Sequence, residues 1–572
     1  MDQSPSTPDT QSARHHASNF DARQRTLAIV IVAMAFIMDL LDSTIVNIAI
    51  PSIQANLHAS YSAIQWLIAG YLLSFATLLI TGGRMGDVFG YKKIFIIGVA
   101  GFSVASLLSG LAWTPGMLIA ARLLQGSMAA LMVPQVMSMM QVMYEPHERG
   151  GIMGIFGGLA GLAATLGPIV GGFLIKWNIA GLDWRPIFLI NVPVGIFALI
   201  AGLKYLPNGK SEHPLKIDLV GTGLVIVAML LLVFPLVQGR ELDWPVWTFI
   251  AMAAAIPVLA LFGWYERRKM AADGSALVVP SLFKTRTFVT GLIVNVAFEA
   301  MFIGYFLIFT LMLQAGLGFS VIKAAVTSIP FAIGISLSIG FISQLLIPKL
   351  GRYVISIGTI TMAIGLGALA LIIRHSGLDT NPWTLIGPLF VGGFGAGAIM
   401  APIFSVVLTD VDVKHAGSAS GVLNAIQQLG GAVGIALIGV IFFGLLSHGA
   451  GQHASQVSPQ VRTQLAAAGL PPAARDSIVT GFEACFRDRA NQKDASVVPA
   501  SCRQDAGSQL PPAVTATISH TLAQAGKQAN ESNFASAFSW SILYEIGLLV
   551  VVFALSFLLP RHIKPEAMEL AA

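Results

Sequence analysis

Apolar stretches of membrane-crossing length alternate with short polar connections along most of the chain. Spans are expected at 27–50, 62–82, 94–113, 116–141, 150–175, 185–205, 218–237, 246–265, 288–313, 322–346, 354–373, 383–408, 418–446 and 538–560. A helix rising about 1.5 Å per residue needs roughly 18 residues or more to cross a hydrocarbon core of about 30 Å. The pattern therefore predicts an all-α polytopic membrane protein with about fourteen transmembrane helices. One connection stands apart: Gly82 to Phe95 forms a tight basic turn hinged on Gly83 and Gly90, with Asp87 closing the preceding helix and Lys92 and Lys93 opening the next.

Composition agrees with this reading. Of 572 residues, 55% are hydrophobic and 11% charged, against about a quarter charged in a soluble domain. The net charge of +5 does not point to nucleic acid, because the cations collect in loops beside the apolar spans. An even number of spans puts both termini on one side. The loops on that side hold about twenty lysines and arginines and the short opposite connections about five, a bias that predicts cytoplasmic termini. The first 25 residues lack a short apolar core or cleavage site, so the first span is expected to remain in place. No G-x-x-x-x-G-K-[ST] loop occurs, so ATP-driven transport is not expected, and no cofactor or metal is called for.

The halves repeat weakly. Pro348-Lys349-Leu350-Gly351-Arg352 echoes the opening turn, and Gly417–Gly421 opens span 13 much as Gly150–Gly154 opens span 5. The predicted layout has a tail (1–26), a six-helix bundle (27–205) and two extra helices with a linker (206–287). Helices 9–13 (288–446), a long segment (447–537), helix 14 (538–560) and a tail (561–572) complete it. Such repeats place a substrate site near the membrane midplane, between the bundles.

Several motifs, in order along the chain, resemble one family. The opening turn is similar to the G-x-L-A-D-x-x-G-R-K turn of the major facilitator superfamily. Leu41-Asp42-Ser43-Thr44-Ile45-Val46-Asn47-Ile48-Ala49-Ile50-Pro51, Arg122-Leu123-Leu124-Gln125-Gly126 and Gly167-Pro168-Ile169-Val170-Gly171-Gly172 resemble the L-D-x-T-x-V-N-x-A-x-P, R-x-x-Q-G and G-P-x-x-G-G motifs of its fourteen-helix drug:proton antiporters. Trp184–Pro193 and Gly417–Gly434 complete the set, and only the 447–537 segment lies outside the resemblance. It implies the major facilitator fold and a proton-coupled exporter of amphipathic, cationic drugs, resident in the inner or plasma membrane. Val88 and Tyr91 stand where the family usually has arginine, so Lys92, Lys93 or Arg149 is expected to partner Asp87.

Intramembrane charges are the candidate coupling residues, because a carboxylate at that depth costs several kcal/mol unless it faces a cavity or a partner. Asp39 and Asp42 share roughly one face of the first span. A proton and a cationic substrate would compete there, and the resemblance adds weight to Asp42. Arg122 lies at similar depth and is expected to pair with Asp42, either as a coupled pair or as a permanent structural one. Glu299 in span 9 is the second candidate for a proton or cation, and Glu545 in span 14 a weaker one. Gly167, Pro168, Gly171 and Gly172 combine close-packing residues with a helix-kinking proline, which suits gating as well as plain packing. Trp66, Tyr71, Phe302 and Tyr305 are weaker candidates for lining a drug cavity, since aromatic residues in such helices usually just pack.

The 447–537 segment, rich in Ala, Gln, Ser and Pro, carries amphipathic pieces near 477–487 and 513–528 and both cysteines of the chain, Cys485 and Cys502. In an oxidising compartment these are expected to pair, the alternative being two free thiols. The segment could cap the outer vestibule or dock a periplasmic partner. Two other readings stay open: an exporter dedicated to one metabolite, such as an antibiotic or siderophore, and a non-transporting receptor.

Overall fold

The computed structural model describes residues 22–144, 146–211, 214–412, 415–492, 498–503 and 511–561. The apolar spans all lie in helices: α1 (Ala22–Leu57), α2 (Tyr61–Phe89), α3 (Tyr91–Gly110), α4 (Pro115–Met143), α5 (Pro146–Trp177), α6 (Pro186–Tyr205), α7 (Leu219–Gln238) and α8 (Val246–Asp273). They continue as α9 (Arg286–Leu311), α10 (Val321–Leu345), α11 (Tyr353–Ser376), α12 (Pro382–Leu408) and α13 (Ala416–Ala467), then α14 (Pro472–Asn491) and α15 (Pro512–Ser556). Among the described residues, 13 helices are long and apolar enough to cross a membrane, and the described apolar part of α5 is Leu166–Trp177. Side-chain caps start several of them: Ser60 accepts from the Ala63 N–H, Thr114 from Met117 and Asp218 from Gly221. Such caps satisfy amides that the first helical turn leaves unpaired.

Helix pairing reveals the repeat that the sequence only hints at. In the first half, α2 packs on α4, α1 on α5, and α3 on α4 and α6. The second half pairs its helices in the same order: α10 on α12, α9 on α13, and α11 on α12 and α15. The halves meet through α2 against α13 and α5 against α10, which are also equivalent pairs. Between them α7 and α8 form a hairpin, with α7 against α2 and α13. This is the major facilitator fold, two six-helix bundles with two extra helices. Small residues let the backbones approach closely. A Cβ on Gly82 would lie 2.0 Å from the Ala130 carbonyl oxygen of α4, and one on Gly393 1.9 Å from that of Phe331 in α10.

One end of the helix array carries the lysine- and arginine-rich connections, and here Gly90, at φ +99°, turns the chain from α2 into α3. The opposite end carries the long segment, which the sequence reading treats as a loop with two amphipathic pieces. The structure makes it a helical extension of the bundle: α13 and α15 continue beyond their apolar spans, and α14 packs on α13. A separate core of Val457, Val461, Leu465, Leu470, Val479 and Ile518 holds it together. Cys485 and Cys502 form a disulfide, with Cα atoms 4.7 Å apart. Closing a loop of 17 residues is worth about 3 kcal/mol in the chain-entropy model. Cys485→Ser is therefore expected to raise proteolytic cleavage within 470–510 while leaving the melting of the transmembrane helices unchanged. Limited proteolysis with tryptophan fluorescence checks this.

Candidate functional site

A buried polar cluster inside the first bundle gathers around Asp42. This carboxylate is fully buried and ion-paired with Arg122, itself 1% exposed. Its other oxygen accepts from Gln125 Nε2 at 2.8 Å and from Asn191 Nδ2 at 2.9 Å. Ser106 Oγ bridges the two amides, at 2.7 Å from Gln125 and 3.0 Å from Asn191. Arg122 also donates to Gln125 Oε1 and the Leu67 carbonyl, and lies 4.2 Å over the Tyr71 ring. The phenol of Tyr71 donates to Asp39, one turn before Asp42. Five helices, α1, α2, α3, α4 and α6, thus converge on two carboxylates and one guanidinium.

Matching depth in their spans predicts that Arg122 pairs with Asp42, and the structure brings them into contact. Gln125, Asn191 and Ser106 join the site without having been predicted as members of it. Gln125 and Asn191 do sit within motifs quoted for other reasons, and an amide in an otherwise apolar span is the signal that could have found them. Tyr71, a candidate for lining a drug cavity, has its ring beneath Arg122 and its hydroxyl on Asp39.

The second bundle holds Glu299, which is buried on α9 and accepts from Gln427 of α13 at 2.7 Å. One turn earlier, Asn295 donates to the Leu423 carbonyl across the same contact. Trp66, Tyr71 and Tyr305 lie in three separate surroundings. Trp66 is half-buried against Phe234 of α7 at 5.9 Å, and Tyr305 is stacked on Phe309 and Phe331 at 5.2 and 5.0 Å. Phe302 joins Tyr305 in that aromatic stack.

The glycines of α5 divide between two faces. Gly167 and Gly171 lie against α1, where added Cβ atoms would meet Thr44 at 2.0 Å and Ile45 at 2.7 Å. Gly172 instead faces Ala325 of α10, across the boundary between the bundles. Pro168 sits inside the same helix. At the basic end, Gly83 packs on Pro134, and Asp87 accepts from the Tyr91 phenol at 3.1 Å rather than from a cation. Lys92 donates to the Leu203 carbonyl instead, and the Arg149 side chain lies outside the described residues. The arginine of this turn, Arg84, reaches the carbonyls of Lys216, Ser275 and Ala276, tying the end of α2 to the strands of chain flanking α7 and α8.

The bundles touch at several points near the disulfide end. Gln314 donates to the Ile48 carbonyl at 3.0 Å, and the rings of Tyr61 and Phe443 lie 4.1 Å apart. Toward the basic end the same α2–α13 seam is looser: a Cβ on Gly421 would find only Ile80, at 3.9 Å, and one on Gly417 nothing within 4 Å.

Known proteins match this architecture. The family model for the Major Facilitator Superfamily matches residues 32–435. A probable actinorhodin transporter of Streptomyces coelicolor is 40% identical, over 95% of this chain and 93% of its own length. The tetracenomycin C resistance and export protein of Streptomyces glaucescens is 33% identical, over 72% of this chain and 75% of its own. A solved bacterial homologue of the human lysosomal transporter Spinster, inward-facing and unoccupied, shares the fold with a TM-score of 0.56 and 15% identity, covering 96% of this chain and all of that one. The chain is a multi-pass membrane protein that belongs to the major facilitator superfamily, among transporters whose relatives include antibiotic exporters.

Proposed function

We propose that this protein is a proton-driven antiporter that exports amphipathic cations by alternating access. The observation that carries the reading is the charge balance around Arg122. Two buried carboxylates, Asp39 and Asp42, lie one turn apart, and the guanidinium beside them is ion-paired with Asp42, which leaves one negative charge to be balanced inside the bundle. A proton or a substrate cation can balance it, but not both at once, and mutual exclusion is what couples exchange. Asp42 is held by three donors and Asp39 by one. Proton exchange at Asp39 therefore breaks fewer contacts, while Asp42 and Arg122 carry the change to α4 and α6. Glu299, with Gln427 as its partner, provides a second acid on the α9–α13 contact.

Alternation follows from the two seams between the bundles. Contacts near the disulfide end close one side, and the glycines of α5, with Pro168, allow α1 and α10 to move against that helix. The turn around Gly83, Asp87, Gly90 and Lys92 would close the other side. The loop charges support placing the basic end and both termini in the cytoplasm, the protein in the inner or plasma membrane, and the 447–537 segment outside.

A second reading, export of one dedicated metabolite, draws support from the relative named for actinorhodin, whose similarity covers 95% of this chain, whereas the tetracenomycin protein covers 72%. Efflux of a lipophilic cationic dye from loaded cells separates the two readings. Under the antiport reading the dye leaves, a protonophore stops it, and Asp39→Asn lowers the initial rate by about tenfold or more. Dye retention with or without a proton gradient, alongside export of a single anionic or neutral metabolite, would favour the dedicated exporter.

A further inference from the structure

The second bundle contains an acid that this cycle does not use. Glu545 of α15 is fully buried, and neither of its carboxylate oxygens has a hydrogen-bond partner among the described residues. Helices α9, α11 and α13 pack around α15. The membrane stretches 354–373 of α11 and 418–446 of α13 contain no titratable residue. From α9, Gly304 faces the carboxyl, a Cβ there lying 3.6 Å from Glu545 Oε1, and close by is Tyr305, whose buried hydroxyl also lacks a partner. Glu299 lies six residues from Tyr305 along α9, about 9 Å toward the basic end. Tyr544 is the titratable neighbour on α15 itself. No cation faces Glu545 from any of these helices.

An ionised carboxylate without a charge partner or a hydrogen-bond donor is costly to bury in a membrane helix, whereas the neutral acid is tolerated far better. Glycine at 304 lets Ile438 of α13 and the carboxyl approach α9 side by side, a Cβ there lying 3.3 Å from Ile438 and 3.6 Å from Glu545 Oε1. We propose that Glu545 is a further proton-binding site, loaded in this conformation and unloaded when the contact between α9, α13 and α15 opens to water. This role rests on the proton-driven reading and extends it to the second bundle.

Two measurements on the full chain in lipid vesicles test it. The first is labelling with N,N′-dicyclohexylcarbodiimide, an apolar reagent that takes protonated carboxyls. The acid proton moves to a carbodiimide nitrogen while the carboxyl oxygen bonds the central carbon, and the O-acylisourea rearranges to a stable N-acylurea with no leaving group. Peptide mass spectrometry is expected to find the adduct on Glu545 at neutral pH. The second is dye transport driven by an imposed proton gradient. Glu545→Gln is expected to reduce this by about tenfold or more, while exchange of dye without a gradient stays within about twofold. Glu545→Asp, which keeps a carboxyl, is expected to retain most of the drive.

An unlabelled Glu545 in a sample where Glu299 is labelled would overturn the proposal, whatever the stability of the variants. So would a Glu545→Gln protein with normal proton drive. A wild-type protein that moves dye without any response to the gradient would instead overturn the antiport reading, and this role with it.

Discussion

Arg122→Leu is expected to abolish transport and to lower the yield of folded protein sharply. Its guanidinium is ion-paired with Asp42 and also donates to Gln125 and the Leu67 carbonyl. Removing one partner of a buried ion pair costs about 3–5 kcal/mol, because the remaining charge is left uncompensated. A fold with about 5–15 kcal/mol of total stability survives that poorly. The double variant Arg122→Leu/Asp42→Asn removes both charges, so its folded yield should recover while transport does not. Fluorescence-detected size exclusion reports the yield, and dye efflux the activity. A single Arg122→Leu variant with normal yield and efflux would show that the pair is neither structural nor coupled.

Gly434→Val is the second change with a large expected effect. A Cβ at Gly434 would lie 2.2 Å from the Ala300 carbonyl oxygen and 2.4 Å from its Cα. Both are backbone atoms, so α9 and α13 must separate. That contact also carries the Gln427–Glu299 hydrogen bond. Overpacking of this kind costs about 1–3 kcal/mol or more, and separating the helices should disable the Glu299 site as well. Gly444→Val is the matched control on the same helix, since a Cβ there meets nothing within 4 Å. Thermal melting of the purified proteins is expected to fall for Gly434→Val and stay near wild type for Gly444→Val. Equal melting of the two would contradict the close approach of α9 and α13.

The spans were legible because each is a long apolar run, and the membrane makes that signal strong. The pairing order of the helices was not, because in lipid it is set by small residues and shape rather than by hydrophobic periodicity. Gly82, Gly393 and Gly434 carry that information, yet in the sequence they look like the many other glycines. Within the site, Asp39, Asp42 and Arg122 announced themselves as charges in apolar runs. Gln125, Asn191 and Ser106 did not, since neutral polar residues are common enough in such helices to pass unnoticed. The extensions of α13 and α15 beyond the membrane were hidden for a different reason. Their alanine and glutamine favour helix, but interspersed serine, glycine and proline break the pattern, and their small core around Val461 and Leu465 forms only when distant segments meet.

The acid at 87 shows how a motif can persist while its contacts change. The opening turn keeps its glycines and its carboxylate, but Tyr91 replaces a basic partner, and Arg84 is spent on the carbonyls beside α7 and α8. The second half has a counterpart: Arg352, after the echo of this turn, donates to the carbonyls of Phe557 and Leu559 at the end of α15. In both halves an arginine near the turn ties down connecting chain just outside a helix, beside α7 and α8 in the first half and after α15 in the second.

Proton movement measured against substrate movement decides whether the protein is an antiporter. Purified protein in vesicles holding a pH-sensitive dye, given an outward gradient of a lipophilic cation with the membrane voltage clamped, reports the two fluxes together. Wild type is expected to move protons opposite to the cation, and Asp39→Asn to lose that flux. Cation transport at the wild-type rate with no accompanying proton movement would contradict the antiport reading.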